Sequence, residues 1–448
     1  MKKRYDLVVI GTGTASMTAA IQIRSAGWQV AVIDYRPFGG TCALRGCDPK
    51  KLLIGGADAL DHARRMQGKG IVGDVHIDWQ QLMAFKRTFT DSVPQKREQR
   101  FKEEGIDSYH GKARFVGKNM VQVDGEVLDA KHILIASGAE PVKLNIPGEE
   151  YLMDNEGFLA LETLPRRIVL VGGGFIAAEF SHLAARAGAS VTILQKAERM
   201  LKEFDVDLVR WLMASFKALG INVHTKTTVE RITRSTSGYQ VFSSVDGKQS
   251  MIEADLVVHA AGRAPAFEEF DLAAAGIETE KGLLKLNEFL QSVSNPSVYA
   301  AGDAARVGPP LTPVSAYDAK VVAYNLLNGK QQTPSYLGVP SVAFTIPPIA
   351  AVGFTEEQAR KNGLKFRMQS AEASTWFTAR QQAEAVYGYK VLIDEQTDHI
   401  VGAHLVGPNV EEVINVFALA MRHGLTAKDL KTTMFAYPTG ASDISSMV

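Results

Sequence analysis

Cys42 and Cys47 are the only two cysteines in the chain, and they stand five positions apart in the stretch GGTCALRGCDPKK, residues 39–51. A thiol pair can close a structural bridge, hold a metal, lie inert in a core, or carry electrons. In a reducing compartment a structural staple is disfavoured. Zinc needs four ligands, and the nearest histidine, His62, lies fifteen residues beyond Cys47. An inert buried pair is the remaining bland reading, but it gives the glycines before Cys42 nothing to do. Residues i and i+5 of a regular α-helix lie about 8.7 Å apart, beyond the roughly 7 Å reach of a disulfide. A Cys42–Cys47 bridge therefore requires a distorted turn, which Gly46 can supply. Pro49 is placed to open a helix through KKLLIGGADALDHARRM. Cys47 then lies at a helix N-terminus with Lys50 one turn on, and both features stabilise a thiolate. The pair reads as redox-active.

Such a pair needs an electron source, and the flanking elements supply two candidate nucleotide sites. YDLVVIGTGTASMTAAIQIRSAGWQVAVID reads as a buried strand, a glycine turn, a small-residue helix and a second strand ending at Asp34. Gly11 permits the tight turn, and Gly13 lets the backbone approach a pyrophosphate at the helix N-terminus. Ser16 stands where a third glycine is usual, and Asp34 can accept from ribose hydroxyls. RRIVLVGGGFIAAEFSHLAARAGASVTILQ repeats the plan with Gly172, Gly174 and Ala177. Here the position 23 residues after Gly172 is Gln195, a neutral side chain, followed by Lys196, Arg199 and Lys202. A missing acid next to cations suits a 2′-phosphate, which predicts NADPH in preference to NADH.

Two more apolar strands end in small residues, at Ser137–Gly138 and at Gly302–Asp303, each delivering a turn to a ligand. After a polar linker near 327–336 the pattern changes to alternating strands and helices, an α+β domain. Forty-nine Lys and Arg balance forty-nine Asp and Glu. This balance gives no basis for a nucleic-acid or polybasic membrane partner, so the expected partner is a small-molecule substrate. The apolar run that opens the chain is cut by Gly-Thr-Gly, so it reads as a strand rather than a signal peptide. No run is long enough to span a membrane, and a cytoplasmic protein is the expectation.

With these residues in view, the chain resembles the pyridine nucleotide-disulfide oxidoreductases, the flavoproteins that include glutathione reductase, dihydrolipoamide dehydrogenase and mercuric reductase. The resemblance rests on GGTCALRGCDPKKL, the first fingerprint, SGAEP, VGGGFIAAE, AGRAP, VYAAGDAA with LTPV, and AFTIPPIAAVGFTE. It implies an α/β fold of two Rossmann-like nucleotide-binding domains plus a C-terminal α+β dimerisation domain. The FAD-binding domain would cover 1–146 and 264–333, the NAD(P)H-binding domain 147–263, and the dimerisation domain 334–448. It further implies FAD held by Gly11, Gly13, Ser16, Asp34, Gly40, Thr41, Ala113, Ser137, Gly138 and Asp303, with Thr312 at the pyrimidine edge of the flavin. NADPH would lie on Gly172, Gly174, Lys196, Lys202 and Gly262, with Phe175 as the aromatic gate over the flavin. Lys50 would pair with Glu179 beside the flavin, Cys47 would face the ring, and Cys42 would be the exposed interchange thiol of a Cys42–Cys47 disulfide. Family members are homodimers in which the C-terminal domain of one subunit completes the other's site.

Three departures matter. Disulfide reductases of the family close with a His-Pro-Thr segment whose histidine is oriented by a glutamate; here FAYPTGASDISSMV puts Tyr437 in the histidine position, Ser442 in the glutamate position and Asp443 beside it. A tyrosine with an ordinary pKa near 10 donates a proton but is a poor base at neutral pH. The helix after the first fingerprint reads SMTAAIQ where glutathione reductases carry an arginine, and Lys320 is only a partial substitute. Mercuric reductases have a tyrosine at the place of Tyr437, yet the tail SSMV has no cysteine pair. Three functions follow: an NADPH-dependent reductase of a disulfide or related thiol with Tyr437 as proton donor, a reductase of metal ions or quinones, or a redox-sensing flavoprotein without turnover.

Overall fold

The opening apolar run forms the strand Lys3–Ile10, whose last four residues are all buried. Burial on both faces is what a central parallel strand requires. The computed structural model describes residues 3–448; Met1 and Lys2 lie outside the described residues. The chain divides into two compact units.

The first unit comprises residues 1–50, 85–142 and 263–336. Its sheet runs in the order Asp107–His110, Val30–Asp34, Lys3–Ile10, Glu126–Ile135, Met120–Val123, Arg114–Gly117, and Val298–Ala300 also pairs with Glu126–Ile135. The strands Lys3–Ile10, Val30–Asp34, Asp107–His110 and Val298–Ala300 join it in parallel. The helices Thr14–Ser25 and Thr312–Asn328 bury Ala19, Ala20, Ile23, Ala319, Val322 and their neighbours in one core with Leu7, Val9 and Val32. Small residues on both helices let them approach the strand ends, where the glycine turns lie.

The second unit comprises residues 51–84, 143–262 and 337–448. It contains a parallel sheet ordered Asn222–His224, Ser190–Leu194, Arg167–Val171, Leu256–His259, with an antiparallel meander of Thr228–Ser235, Gly238–Val245 and Lys248–Ala254. A five-stranded antiparallel sheet, Ser341–Ala343, Ile349–Gly353, Ile400–Val406, Gly388–Asp394, Phe366–Glu372, is covered by the helix Val410–His423. The sequence reading separated 147–263 from 334–448 and left 51–84 with the FAD domain. The compact unit groups them because one hydrophobic core runs through Leu53, Trp79, Phe158, Phe180, Ile349 and Val406. Buried polar ties reinforce it: Arg186 donates to Asp61 at 2.7 Å and to the Ile346 carbonyl at 3.1 Å. Among the described residues no helix is long and apolar enough to cross a membrane.

Candidate active site

The cysteine motif folds as two helices, Gly40–Arg45 and Cys47–Arg65, broken at Gly46 (φ −147°, ψ −109°). The break is the distortion that a helical i,i+5 pair lacks. The second helix starts at Cys47, two residues before the Pro49 start read from sequence, so Cys47 itself occupies the N-terminus. Both thiols are free in this structure, Cys42 half-buried and Cys47 exposed. Gly40 sits at φ +72°, and a Cβ there would lie 2.4 Å from the Gly13 Cα. Only glycine allows that conformation and that approach at once. The contact seats the cysteine segment on the first fingerprint.

A second tie does the same by hydrogen bonds. Asp34 Oδ2 accepts from Thr12 Oγ1 at 2.7 Å, and Thr12 Oγ1 accepts from the Gly39 amide at 3.3 Å. Thr12, between the fingerprint glycines, was not singled out from sequence, although its position was the available signal.

The Thr312 hydroxyl lies against both sulfurs. Its single proton is within reach of Cys42 Sγ at 3.1 Å and of Cys47 Sγ at 3.4 Å, and turns to the sulfur that carries the charge. Thr312 opens the helix Thr312–Asn328. The sequence reading placed this residue at the flavin edge and did not foresee its contact with the sulfurs. Cys42 hydrogen-bonds to Cys47, and the two thiols divide one proton unequally. Cys47 is lowered to about 6, first by the hydrogen bond from Cys42, then by that of Thr312 and the charge of Lys50. Cys42 is pushed up because its proton serves Cys47 and because it is buried. The arrangement holds a thiolate on Cys47 and a thiol on Cys42.

The residues expected to hold FAD fit a polar, phosphate-bearing group. A Cβ on Gly11 (φ +113°) would lie 2.4 Å from the Ala136 carbonyl oxygen, so the turn closes against the neighbouring strand end. Gly13 caps the helix Thr14–Ser25 without any side-chain hydrogen bond, leaving backbone N–H groups for a ligand. The Ser16 and Ser137 hydroxyl oxygens are buried with no hydrogen-bond partner among the described residues. The reading from sequence took Ser16 as a small stand-in for glycine; its orphan hydroxyl also makes it polar equipment. Gly138 has nothing within 4 Å of a built Cβ, and Thr41 is half-buried, whereas Ala113 lies in the sheet's core. Asp303 is raised by burial, with Arg263 and Arg306 opposing. Asp318, missed from sequence, holds that turn by accepting from the Gly302 amide at 3.1 Å and the Tyr336 hydroxyl at 2.9 Å.

In the second unit Gly172 repeats the close approach, here to the Ala260 carbonyl oxygen. Gly174 caps the helix Phe175–Arg186, and both Gly174 and Gly262 face open space. Gln195 does not wait for a ribose: its amide donates to the Arg199 carbonyl at 3.1 Å. Arg199, expected in the cationic cluster, also has a local structural task. Its guanidinium donates to the carbonyls of Phe204 at 2.7 Å and Lys202 at 2.9 Å, folding the 199–204 loop. Lys196 and Lys202 remain exposed, with Lys202 3.7 Å from Glu203. The Phe175 ring is 5.4 Å from that of Phe204. Glu179 is buried and accepts from the Phe344 amide at 2.9 Å, so it anchors a strand end besides the role expected with Lys50. Lys50 belongs to the first compact unit and Glu179 to the second.

Tyr437 is 79% exposed, and its ring lies 6.5 Å from that of Phe377. Neither neighbour orients it. Asp443 accepts from the Tyr387 hydroxyl at 2.8 Å, and Ser442 donates to the Thr439 carbonyl at 2.6 Å. Lys320 is exposed on the helix Thr312–Asn328.

Residues 5–319 match the family described as pyridine nucleotide-disulphide oxidoreductase, and residues 339–448 match that family's dimerisation domain. The chain belongs to the pyridine nucleotide-disulphide oxidoreductases. A mercuric reductase of Staphylococcus aureus is 33% identical over 98% of this chain and 81% of its own length. A dihydrolipoyl dehydrogenase of Bacillus subtilis is 30% identical over 97% of this chain and 93% of its own. The HOCl-induced flavoprotein disulfide reductase RclA from Escherichia coli superposes with a TM-score of 0.88 at 27% identity, covering 99% of both chains. Its Cu(II) complex matches with a TM-score of 0.88 at 28% identity, over 100% of this chain and 99% of that one. Family membership makes this an oxidoreductase of the FAD and NAD(P)H class, with two nucleotide-binding segments and a dimerisation domain.

Proposed function

We propose that the enzyme takes electrons from NADPH through FAD to a Cys42–Cys47 disulfide, and passes them to a disulfide or related thiol acceptor. The observation that carries this reading is the Thr312 hydroxyl set against both sulfurs, with Cys47 lowered to about 6 and Cys42 held up. Bound FAD would supply the two-electron chemistry linking the nucleotide to the cysteines. It would be held by Gly11, Gly13, Ser16, Asp34, Gly40, Thr41, Ala113, Ser137, Gly138, Asp303 and the helix end at Thr312. Gly172, Gly174, Lys196, Lys202 and Gly262 would take the nucleotide, with Phe175 as its gate. The 1–146, 264–333 and 147–263 segments would thus be the FAD- and NADPH-binding domains, and 334–448 would pair two subunits in a cytoplasmic homodimer.

Two electrons break the Cys42–Cys47 bond, leaving a Cys47 thiolate stabilised by Lys50 and a Cys42 thiol carrying one proton. Cys42 gives up that proton and attacks one sulfur of the acceptor disulfide; the first leaving thiolate takes the proton, and a mixed disulfide forms on Cys42. Cys47 then attacks the Cys42 sulfur, releasing the second thiolate, which is protonated from solvent, and restoring the bridge. Tyr437 would relay that solvent proton to the second leaving sulfur and be reprotonated by solvent in turn.

A second reading, reduction of a metal ion or a quinone, is favoured by one observation: Tyr437 is exposed, and Ser442 and Asp443 are engaged elsewhere. Such acceptors ask for no base. The mercuric reductase likeness and the copper-bound state of the RclA relative agree with it.

The test is anaerobic reduction with NADPH and then NADH, followed by glutathione disulfide, cystamine, mercuric ion and a quinone. Reoxidation by a disulfide, lost in Cys42→Ser, supports the leading reading. Reoxidation only by mercuric ion or quinone replaces it with the second.

A further inference from the structure

Asp48 is the residue of the cysteine motif that the electron path leaves unused. It is exposed in the first turn of the helix Cys47–Arg65, and its Oδ1 lies 3.8 Å from Cys42 Sγ. The charges that weigh most on the Cys42 sulfur are those of Cys47 and Asp48, and both are negative. Lys50 bears on Cys47, and Arg97, half-buried on the helix Val93–Glu103, is the guanidinium on which the Asp48 charge acts. An anionic acceptor must bring its charge to a sulfur already flanked by two negative groups.

We infer that Asp48 makes the interchange thiol selective for cationic and neutral acceptors and against anionic ones such as glutathione disulfide. The inference rests on the reading of Cys42 as the attacking thiol. Asp48 sets the field there and is a specificity determinant.

The field can be read without knowing the acceptor. In the reduced holoenzyme carrying Cys47→Ser, which cannot resolve the product and is the background for every labelling variant, the Cys42 thiolate attacks a methanethiosulfonate, forming a Cys42 mixed disulfide and releasing methanesulfinate. Cationic trimethylammonioethyl and anionic sulfonatoethyl reagents attack the same thiolate, so the thiolate fraction cancels in the ratio of their rates at Cys42, followed by peptide mapping. A unit charge about 6 Å away in water alters each rate roughly three-fold, in opposite directions, and the ratio about ten-fold. The expected result is a cation-to-anion ratio that falls about ten-fold in Asp48→Asn, survives in Asp48→Glu, and shrinks with added salt in the Cys47→Ser parent. A ratio that moves less than about two-fold in Asp48→Asn overturns the inference. Turnover of cystamine against glutathione disulfide separates this claim from the proposed function. If the labelling ratio falls but neither disulfide is reduced, the acceptor reading fails and the selectivity of Cys42 stands. If both are reduced with the same preference in wild type and Asp48→Asn, the selectivity is refuted and the acceptor reading survives.

Discussion

Replacing Thr312 by valine keeps the shape of the side chain and removes the hydroxyl that lies against both sulfurs. Thr312 lowers both thiols, so its loss raises both. A hydrogen bond to a charged group contributes roughly 1.5–3 kcal/mol. Sulfur is a weak acceptor, and the oxygen lies 3.4 Å from Cys47 Sγ. The low end therefore applies, about 1.5 kcal/mol, which is about one pKa unit. Cys47 moves from about 6 to about 7, and its thiolate fraction at pH near 6 drops from about one half to about one tenth. The assay is iodoacetamide labelling of the reduced protein across pH, with Cys42 and Cys47 peptides quantified separately. The Cys47 rate should fall about five-fold near pH 6 and converge with wild type well above pH 8. Thr312→Ser should restore the wild-type profile. A midpoint that stays put, or moves down, refutes the assignment of Thr312 as a thiolate donor.

Asp318 should mark the stability profile. Burial raises its carboxyl to about 6 from 3.8, so the folded state binds its proton more tightly than the unfolded state does. The stabilisation is complete below about pH 4 and is lost as pH rises through about 6, about 3 kcal/mol in all. Urea melts of Asp318→Asn should lack this slope, and a difference from wild type that is flat across that window contradicts it. Gly40→Ala places a Cβ 2.4 Å from the Gly13 Cα at a left-handed φ, and should cost more than about 2 kcal/mol in urea melts and lower bound flavin. Lys390, 1% exposed, holds Asp205 at 2.9 Å and Glu356 at 2.8 Å. Lys390→Met strands those carboxylates and should destabilise by about 3–5 kcal/mol in calorimetry; a loss under about 1 kcal/mol would show the cluster to be solvated.

What could be read from sequence was what backbone and spacing dictate. Gly11, Gly13, Gly172 and Gly174 sit at strand ends because the turn geometry admits few alternatives, and the apolar runs around them become buried parallel strands. The kink at Gly46 followed from the helical i,i+5 distance. What stayed hidden depends on side chains meeting across long intervals of chain. Nothing in LTPV announces that Thr312 reaches sulfurs 265 and 270 residues away. Asp318 bonding to Gly302 is equally silent, and so is the Arg199 guanidinium, whose charge implied a phosphate and whose donors also close its own loop. A cation in a sequence is a charge; in a fold it is first a set of donors that nearby carbonyls claim.

The same logic bears on the missing histidine. A base beside the interchange thiol is needed when the thiol must be deprotonated on demand, and Tyr437, exposed and without an orienting carboxylate beside it, stands in place of that histidine. The motif compensates in part at the other thiol. By lowering Cys47 to about 6, the Cys42 hydrogen bond, the Thr312 hydroxyl and the Lys50 charge secure one thiolate at neutral pH without any imidazole. The cost falls on Cys42, which keeps the proton and sits beside Asp48. Turnover with a disulfide should therefore accelerate with rising pH as Cys42 ionises, while reduction of the cysteine pair itself stays flat. Stopped-flow measurement of the two half-reactions separates them. A disulfide half-reaction independent of pH would mean that some other group removes the Cys42 proton, and would exclude the division of labour argued from Thr312, Lys50 and Asp48.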